Sequence, residues 1–186
     1  MEYVASIFRG VMASAKYLSI PTFITLSGLI SGFLSIIFAV NLQFNQALFF
    51  LIAAGVCDLF DGYVARRMQL SPSAQEFGKY IDTLGDSVSF GVAPAIFGYA
   101  FGLKHPFEVA LLTLYVLCGS FRLARFHVLG IQTDNEERSF YTGMPITYIA
   151  LLLPLTMTAY YILPKVFMRY ILDILYAGSG LLMISE

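Results

Sequence analysis

Hydrophobic residues come in long runs in this chain, separated by short polar breaks. No charge occurs between Lys16 and Asp58. That window holds one apolar run from about Ile20 to Val40 and a second from Gln46 to Val56, divided by the polar turn NLQFNQ. About 20 apolar residues span the hydrocarbon core of a bilayer. The first run reaches that length alone. The second must take in the segment carrying Asp58 and Asp61. Further runs extend from about Phe77 to Leu103, Phe107 to Leu129, Gly143 to Leu163 and Val166 to Ile184, the last weakened by Arg169 and Asp173 in its first turns. The breaks QLSPSAQ, LKHP, QTDNEERS and LPK collect proline, serine, asparagine and charged residues, as turns do. The pattern predicts an all-α, polytopic membrane protein built as a six-transmembrane-helix bundle. Before the first run, Val4, Ile7, Phe8, Val11 and Met12 form a stripe with Arg9 and Lys16 off it. That spacing fits an amphipathic helix lying on the membrane surface. The expected division is an interfacial helix over residues 1–17 and a transmembrane domain over 18–186.

Composition agrees. The chain is 58% hydrophobic and 12% charged, with mean hydropathy +0.75; soluble domains carry about a quarter charged residues. A net charge of −1 gives no basic field for nucleic acid. Cys57 and Cys118 lie in apolar stretches, without metal-site spacing, and read as small buried hydrophobes. The start lacks a long apolar core and carries Glu2, so no signal peptide is expected there. Arg9, Lys16, Arg66, Arg67, Lys79 and Arg138 outnumber Lys104, Lys165 and Arg169 on the other face. By the positive-inside bias, the N-terminus and the loop after Asp61 face the cytoplasm.

Against this apolar background stand four aspartates. Asp58 and Asp61 are three residues apart and share a helix face, and Asp82 and Asp86, four apart, share another. An acid at the centre of a membrane helix costs about 2.5–3.5 kcal/mol on insertion scales, so four need a positive partner. Gly62, Ala65, Gly78, Gly85 and Ser89 beside them are small, which lets helices approach and leaves room for a ligand. Two carboxylate pairs on facing helices make a cage for Mg²⁺ or Mn²⁺. Arg66, beyond Asp61, is placed to hold phosphate oxygens. Together these features suggest a diphosphate ligand. A lone aspartate paired with an arginine for packing is the plainer alternative, but four at these spacings argue against it. A cation or proton pathway also uses intramembrane acids, and the spacing alone leaves it open.

The pattern Asp58-x-x-Asp61-Gly62-x-x-Ala65-Arg66, followed by Gly78-x-x-x-Asp82-x-x-x-Asp86, resembles the signature of the CDP-alcohol phosphotransferases. The resemblance implies a six-helix core, usually a homodimer. It also implies two divalent metals on Asp58, Asp61, Asp82 and Asp86 that hold a CDP diphosphate, with Gly62, Ala65, Arg66 and Gly78 on the CDP side and Asp86 as general base. IPTFITLSGLISGF, DSVSFGVAPA, FRLARFHVLG and FYTGMPIT are similar to stretches of the membrane-embedded phosphatidylserine synthases within that family. That likeness implies CDP-lipid and L-serine as substrates. Serine brings a carboxylate, and Arg122 and Arg125 on the fourth run are candidates to face it or a lipid phosphate. They could instead neutralise the aspartates or snorkel to the interface. His127 reads as an interfacial histidine, and His105 falls in the opposite loop. Two other classes stay open. A membrane prenyltransferase would carry a DDxxD-like cluster, which this chain lacks. A divalent-cation transporter needs acids reachable from both sides, and the outer halves of the second and third runs show none.

Overall fold

The computed structural model describes residues 19–132 and 143–185, and all regular structure within them is helical. The expected interfacial helix over residues 1–17 lies outside the described residues, as do Arg138 and most of the QTDNEERS break. The side chain of His127 is outside the description as well.

Helix α1 spans Ile20–Val40. Ser19 caps it by accepting the Thr22 N–H, and Pro21 sits in the first turn, where its missing N–H costs nothing. A turn with Leu42 at φ 59° leads into α2, Phe44–Ala65. As the pattern required, α2 reaches membrane length by taking in Asp58 and Asp61. Helix α3 spans Pro72–Asp86. It starts before the expected Phe77 because Ser71 caps it, accepting the Ala74 N–H at 3.3 Å, and Pro72 suits the first position. A π-helical turn, Ser87–Val92, joins α3 to α4, Ala93–Phe101. Helix α5 spans Pro106–Gln132, α6 spans Ile149–Thr158 and α7 spans Lys165–Ile184.

The run from Gly143 to Leu163, expected as one span, is not one unbroken helix. It opens non-helically through Pro145, passes a 3₁₀ turn at Ile146–Tyr148, and ends α6 in a second 3₁₀ turn at Ala159–Tyr161. Pro145, Pro154 and Pro164 each remove a backbone donor, which limits a continuous ladder. Among the described residues four helices are long and apolar enough to cross a membrane: α1, α2, α5 through Phe126, and α7. The protein is thus an all-helical integral membrane protein.

Packing follows membrane rules rather than those of soluble cores. The buried face of α1 carries Thr22, Thr25, Gly28, Gly32, Ser35 and Ala39, while Phe23, Ile30, Phe33 and Ile37 point outward. Lipid tails are as apolar as leucine, so helices associate where small residues let backbones approach. A Cβ on Gly32 would lie 2.8 Å from the Ser89 Cα, and one on Gly55 would lie 2.9 Å from the Ala150 Cβ. Ser35 Oγ donates to the Ala47 carbonyl at 2.8 Å, tying α1 to α2. Helix α1 packs along both α2 and α3.

The π turn has an identifiable cause. Pro94 has no N–H to give the Phe90 carbonyl four residues earlier. The ladder adjusts, and the Ala93 N–H bonds the Val88 carbonyl, five residues back. The Tyr115 hydroxyl, from α5, donates to the freed Phe90 carbonyl. Tyr176, from α7, donates to the Pro94 carbonyl at 2.6 Å. Both tyrosines are buried. The end of the acidic helix is therefore braced from two neighbouring helices.

At the far end of the bundle, α5 begins under its own charges. Glu108 accepts the His105 N–H at 2.7 Å and the Arg169 Nη2 at 2.6 Å. This puts His105 in the loop away from the aspartates, as its sequence position implied. Cys118 is buried and Cys57 half-buried, both as free thiols.

Candidate active site

Helices α2 and α3 both lean on α1, and a narrow cleft lies where the three meet. Asp58, Asp61, Asp82 and Asp86 all line it, with Thr25, Ser89 and Phe90. No lysine, arginine or histidine is among the lining residues. The two sequence pairs are thus brought together into one acidic site.

The four carboxylates are not equivalent. Asp58, Asp82 and Asp86 each present an oxygen such that the three lie within 4.8 Å of one another. Asp58 and Asp86 touch as a hydrogen-bonded pair. Asp61 is buried, and its Oδ2 accepts the Thr25 hydroxyl at 2.6 Å. Carboxylates this close in an apolar bundle repel unless a proton or a cation sits among them. Three convergent hard oxygens, with a fourth carboxylate adjacent, are the donor set that Mg²⁺, Mn²⁺ or Ca²⁺ takes. The residues present fit a divalent ion.

The small residues divide into two groups. Gly85 and Ser89 face α1: a Cβ on Gly85 would meet Thr25 at 3.8 Å, and Ser89 packs on Gly32. Gly78 has open space around its missing side chain, and a Cβ on Gly62 would meet only the Arg66 guanidinium, at 3.7 Å. Arg66, just past Ala65 at the end of α2, is exposed, and its Nε donates to the Gly62 carbonyl at 3.0 Å. Gly62, Ala65, Arg66 and Gly78 therefore sit on the loop side of the acids without lining the cleft. Arg122 and Arg125 are half-buried on α5, a helix that packs against the π turn, but neither is among the lining residues.

Sequence reasoning missed Thr25. A signal existed: Thr22, Thr25, Gly28, Gly32 and Ser35 recur at helical spacing within an otherwise apolar run. In a membrane helix such a stripe marks the protein-facing side.

The chain matches the CDP-alcohol phosphatidyltransferase family over residues 18–182. The chain belongs to that family. Among its relatives is a CDP-diacylglycerol–serine O-phosphatidyltransferase of Saccharomyces cerevisiae, 36% identical over 150 residues, which are 74% of this chain and 53% of that protein. An archaetidylserine synthase of Methanothermobacter thermautotrophicus is 33% identical over 148 residues, 79% of this chain and 59% of that one. A CDP-diacylglycerol–serine O-phosphatidyltransferase of Bacillus subtilis is 31% identical over 136 residues, 72% of each chain. The chain spans about half to three-fifths of the length of the first two relatives. As a family member it carries the acidic cluster on α2 and α3, inside the matched region.

Proposed function

We propose that this protein transfers the phosphatidyl group of a CDP-lipid, CDP-diacylglycerol, to the hydroxyl of L-serine, giving phosphatidylserine and CMP in phospholipid biosynthesis. The observation that carries this reading is the convergence of Asp58, Asp82 and Asp86 in one cleft, in a chain of this family whose relatives include serine phosphatidyltransferases. Asp58, Asp61, Asp82 and Asp86 would hold two divalent ions, Mg²⁺ or Mn²⁺. Such ions, when bound, neutralise a diphosphate and stabilise the charge on transferred and leaving phosphates. Arg66 faces phosphate oxygens, and Gly62, Ala65 and Gly78 leave the approach to the nucleotide open. Asp86 takes the proton of the serine hydroxyl. That oxygen forms a bond to the lipid-side phosphorus, and the bond to the CMP oxygen breaks, with CMP keeping the electron pair. Arg122 and Arg125, on the helix beside the π turn, face the serine carboxylate or the lipid phosphate.

The remaining architecture belongs to the same reading. Six spans are reached when the α3–α4 segment and the 146–161 segment cross with the four long helices, behind an interfacial helix over residues 1–17. The cleft opens to the cytoplasm, and the protein works as a homodimer among membrane lipids. A second reading has an archaeal ether lipid as the donor tail; the archaetidylserine synthase relative favours it. The test is CMP release by purified protein from diacyl and ether CDP-lipids, against serine, inositol phosphate, glycerol phosphate and choline. Preference for serine supports the proposal. Preference for another alcohol overturns the serine assignment, and no CMP release with any acceptor overturns the transferase reading.

A further inference from the structure

We infer that Ser89 is a further acceptor-contacting residue, whose hydroxyl hydrogen-bonds the small polar acceptor beside Asp86. The inference rests on the acceptor reading above and deepens it. Ser89 is 2% exposed. Its Oγ is buried and has no hydrogen-bond partner among the described residues. Buried polar atoms are nearly always paired, so an orphan calls for an explanation.

The other helical hydroxyls show what an ordinary one does here. Ser27 donates to the Phe23 carbonyl, Ser31 to Ser27, Thr83 to Lys79 and Thr113 to Val109, each four residues back. Ser89 makes no such bond, although it sits in the same helical segment as Thr83. It lies in the π turn that Pro94 imposes, where the ladder register is shifted. Single π turns often mark functional sites.

Its position is that of a site residue. Asp82, Asp86 and Ser89 are spaced four and three apart, so they share one face of the helix. Ser89 lines the same cleft as the four acids, beside Gly28, Leu29, Ala54 and Phe90, which offer no polar side chain. The Ser89 Oγ rests beside Gly32 of α1 at the edge of that cleft and takes no partner from its lining, so a ligand entering the cleft is the partner this inference assigns to it. An amino-acid acceptor brings an ammonium and a hydroxyl that donate and a carboxylate that accepts, and a serine oxygen can pair with any of them.

The experiment compares the full chain with Ser89→Ala and with Ser87→Ala, a control in the same turn that does not line the cleft. CMP release is measured against serine, CDP-lipid and Mn²⁺ concentration, and thermal unfolding is followed in parallel. In Ser89→Ala the apparent KM for serine rises about tenfold, the worth of one hydrogen bond to a charged group, while the CDP-lipid and Mn²⁺ dependences stay within about twofold. The thermal midpoint stays level or rises, because no protein partner is lost. Ser87→Ala behaves as wild type. Ser89→Cys keeps the volume with a weaker donor and carries the same test if the alanine variant is poorly produced. Unchanged serine saturation overturns the inference. So does a shift confined to Mn²⁺ or CDP-lipid, which would assign the hydroxyl to the donor side, and so does a lowered midpoint with both KM values raised together. If the wild type turns over a different alcohol, the serine reading fails on its own, and Ser89 is then judged by saturation with that alcohol.

Discussion

Two clusters of charge sit at opposite ends of this apolar bundle, and they are built in opposite ways. At the far end Glu108 is closed by its neighbours. It accepts the His105 N–H and two donors of Arg169, at 2.6 and 3.2 Å. Asp173, one turn after Arg169, has one buried oxygen without a hydrogen-bond partner, and Arg169 supplies the local positive charge. At the other end Asp58, Asp82 and Asp86 converge, and Asp61 accepts the Thr25 hydroxyl. Among the described residues no cationic side chain lines that cleft. A buried charge must be paired. Where the chain supplies the partner, the cluster ties helices together. Where the described lining supplies no cation, a proton shared between carboxylates or a bound cation has to take that place.

The largest expected effect tests that contrast directly. Chelator should abolish transfer, and Mg²⁺ or Mn²⁺ should restore it, measured as CMP release; full turnover in chelator would remove the need for a ligand cation at the acidic end. Next comes the division of labour among the acids. Asp86→Asn keeps the size and removes basicity, so transfer should fall by about 10²–10⁴-fold, the usual worth of a general base, while CDP-lipid still binds. Asp58→Asn should weaken CDP-lipid binding itself. Wild-type transfer by Asp86→Asn would refute its role as base.

These expectations rest on features that were legible in the sequence to different degrees. The acids were legible because four carboxylates in so apolar a chain have few explanations, and their spacing fixed shared faces. The long helices were legible from run length, and α2 had to borrow Asp58 and Asp61 to cross. The run from Gly143 to Leu163 showed its apolar character but not its breaks, since hydropathy counts residues but ignores the donors that Pro145, Pro154 and Pro164 remove. The π turn was hidden for a related reason. Pro94 frees the Phe90 carbonyl, and only the fold brings Tyr115 from α5 to take it. Thr25 was overlooked because it lies in a long apolar run, where a hydroxyl can bond its own backbone. The Glu108–Arg169 tie joins residues far apart in the chain, and the sequence shows Arg169 only as a charge that weakens the last run, with nothing local to point it at Glu108.

A smaller effect sharpens the acidic end. Thr25→Val keeps the shape of the side chain and removes the hydroxyl that Asp61 accepts. A hydrogen bond to a charged group is worth about 1.5–3 kcal/mol, and Asp61 is left with less to hold it. The expected result is a higher Mg²⁺ or Mn²⁺ requirement, read from activation curves, with the serine KM unchanged. An unchanged metal requirement would mean that Asp61 is held by packing rather than by Thr25.

The smallest effect on catalysis belongs to the far end, and it is the one that can break the contrast. If Glu108 and Arg169 only tie α5 to α7, their loss should be felt in stability and not in chemistry. Glu108→Leu removes the His105 cap and leaves Arg169 without its carboxylate. The thermal midpoint should fall by a few degrees, while the serine and CDP-lipid KM values of the folded enzyme stay at wild type. Arg169→Leu leaves Glu108, itself buried, without its guanidinium, and should cost more than an exposed change would. The double variant Glu108→Leu/Arg169→Leu is the decisive one. Breaking a pair strands one charge, whereas replacing both partners by apolar groups strands none. The double variant should therefore lose less stability than the sum of the two single losses, because the pairing term is counted once. Strict additivity would show that the two residues act separately. Loss of transfer with the midpoint unchanged would show that the far end takes part in catalysis, and the division between a closed charge cluster and an open one would fall.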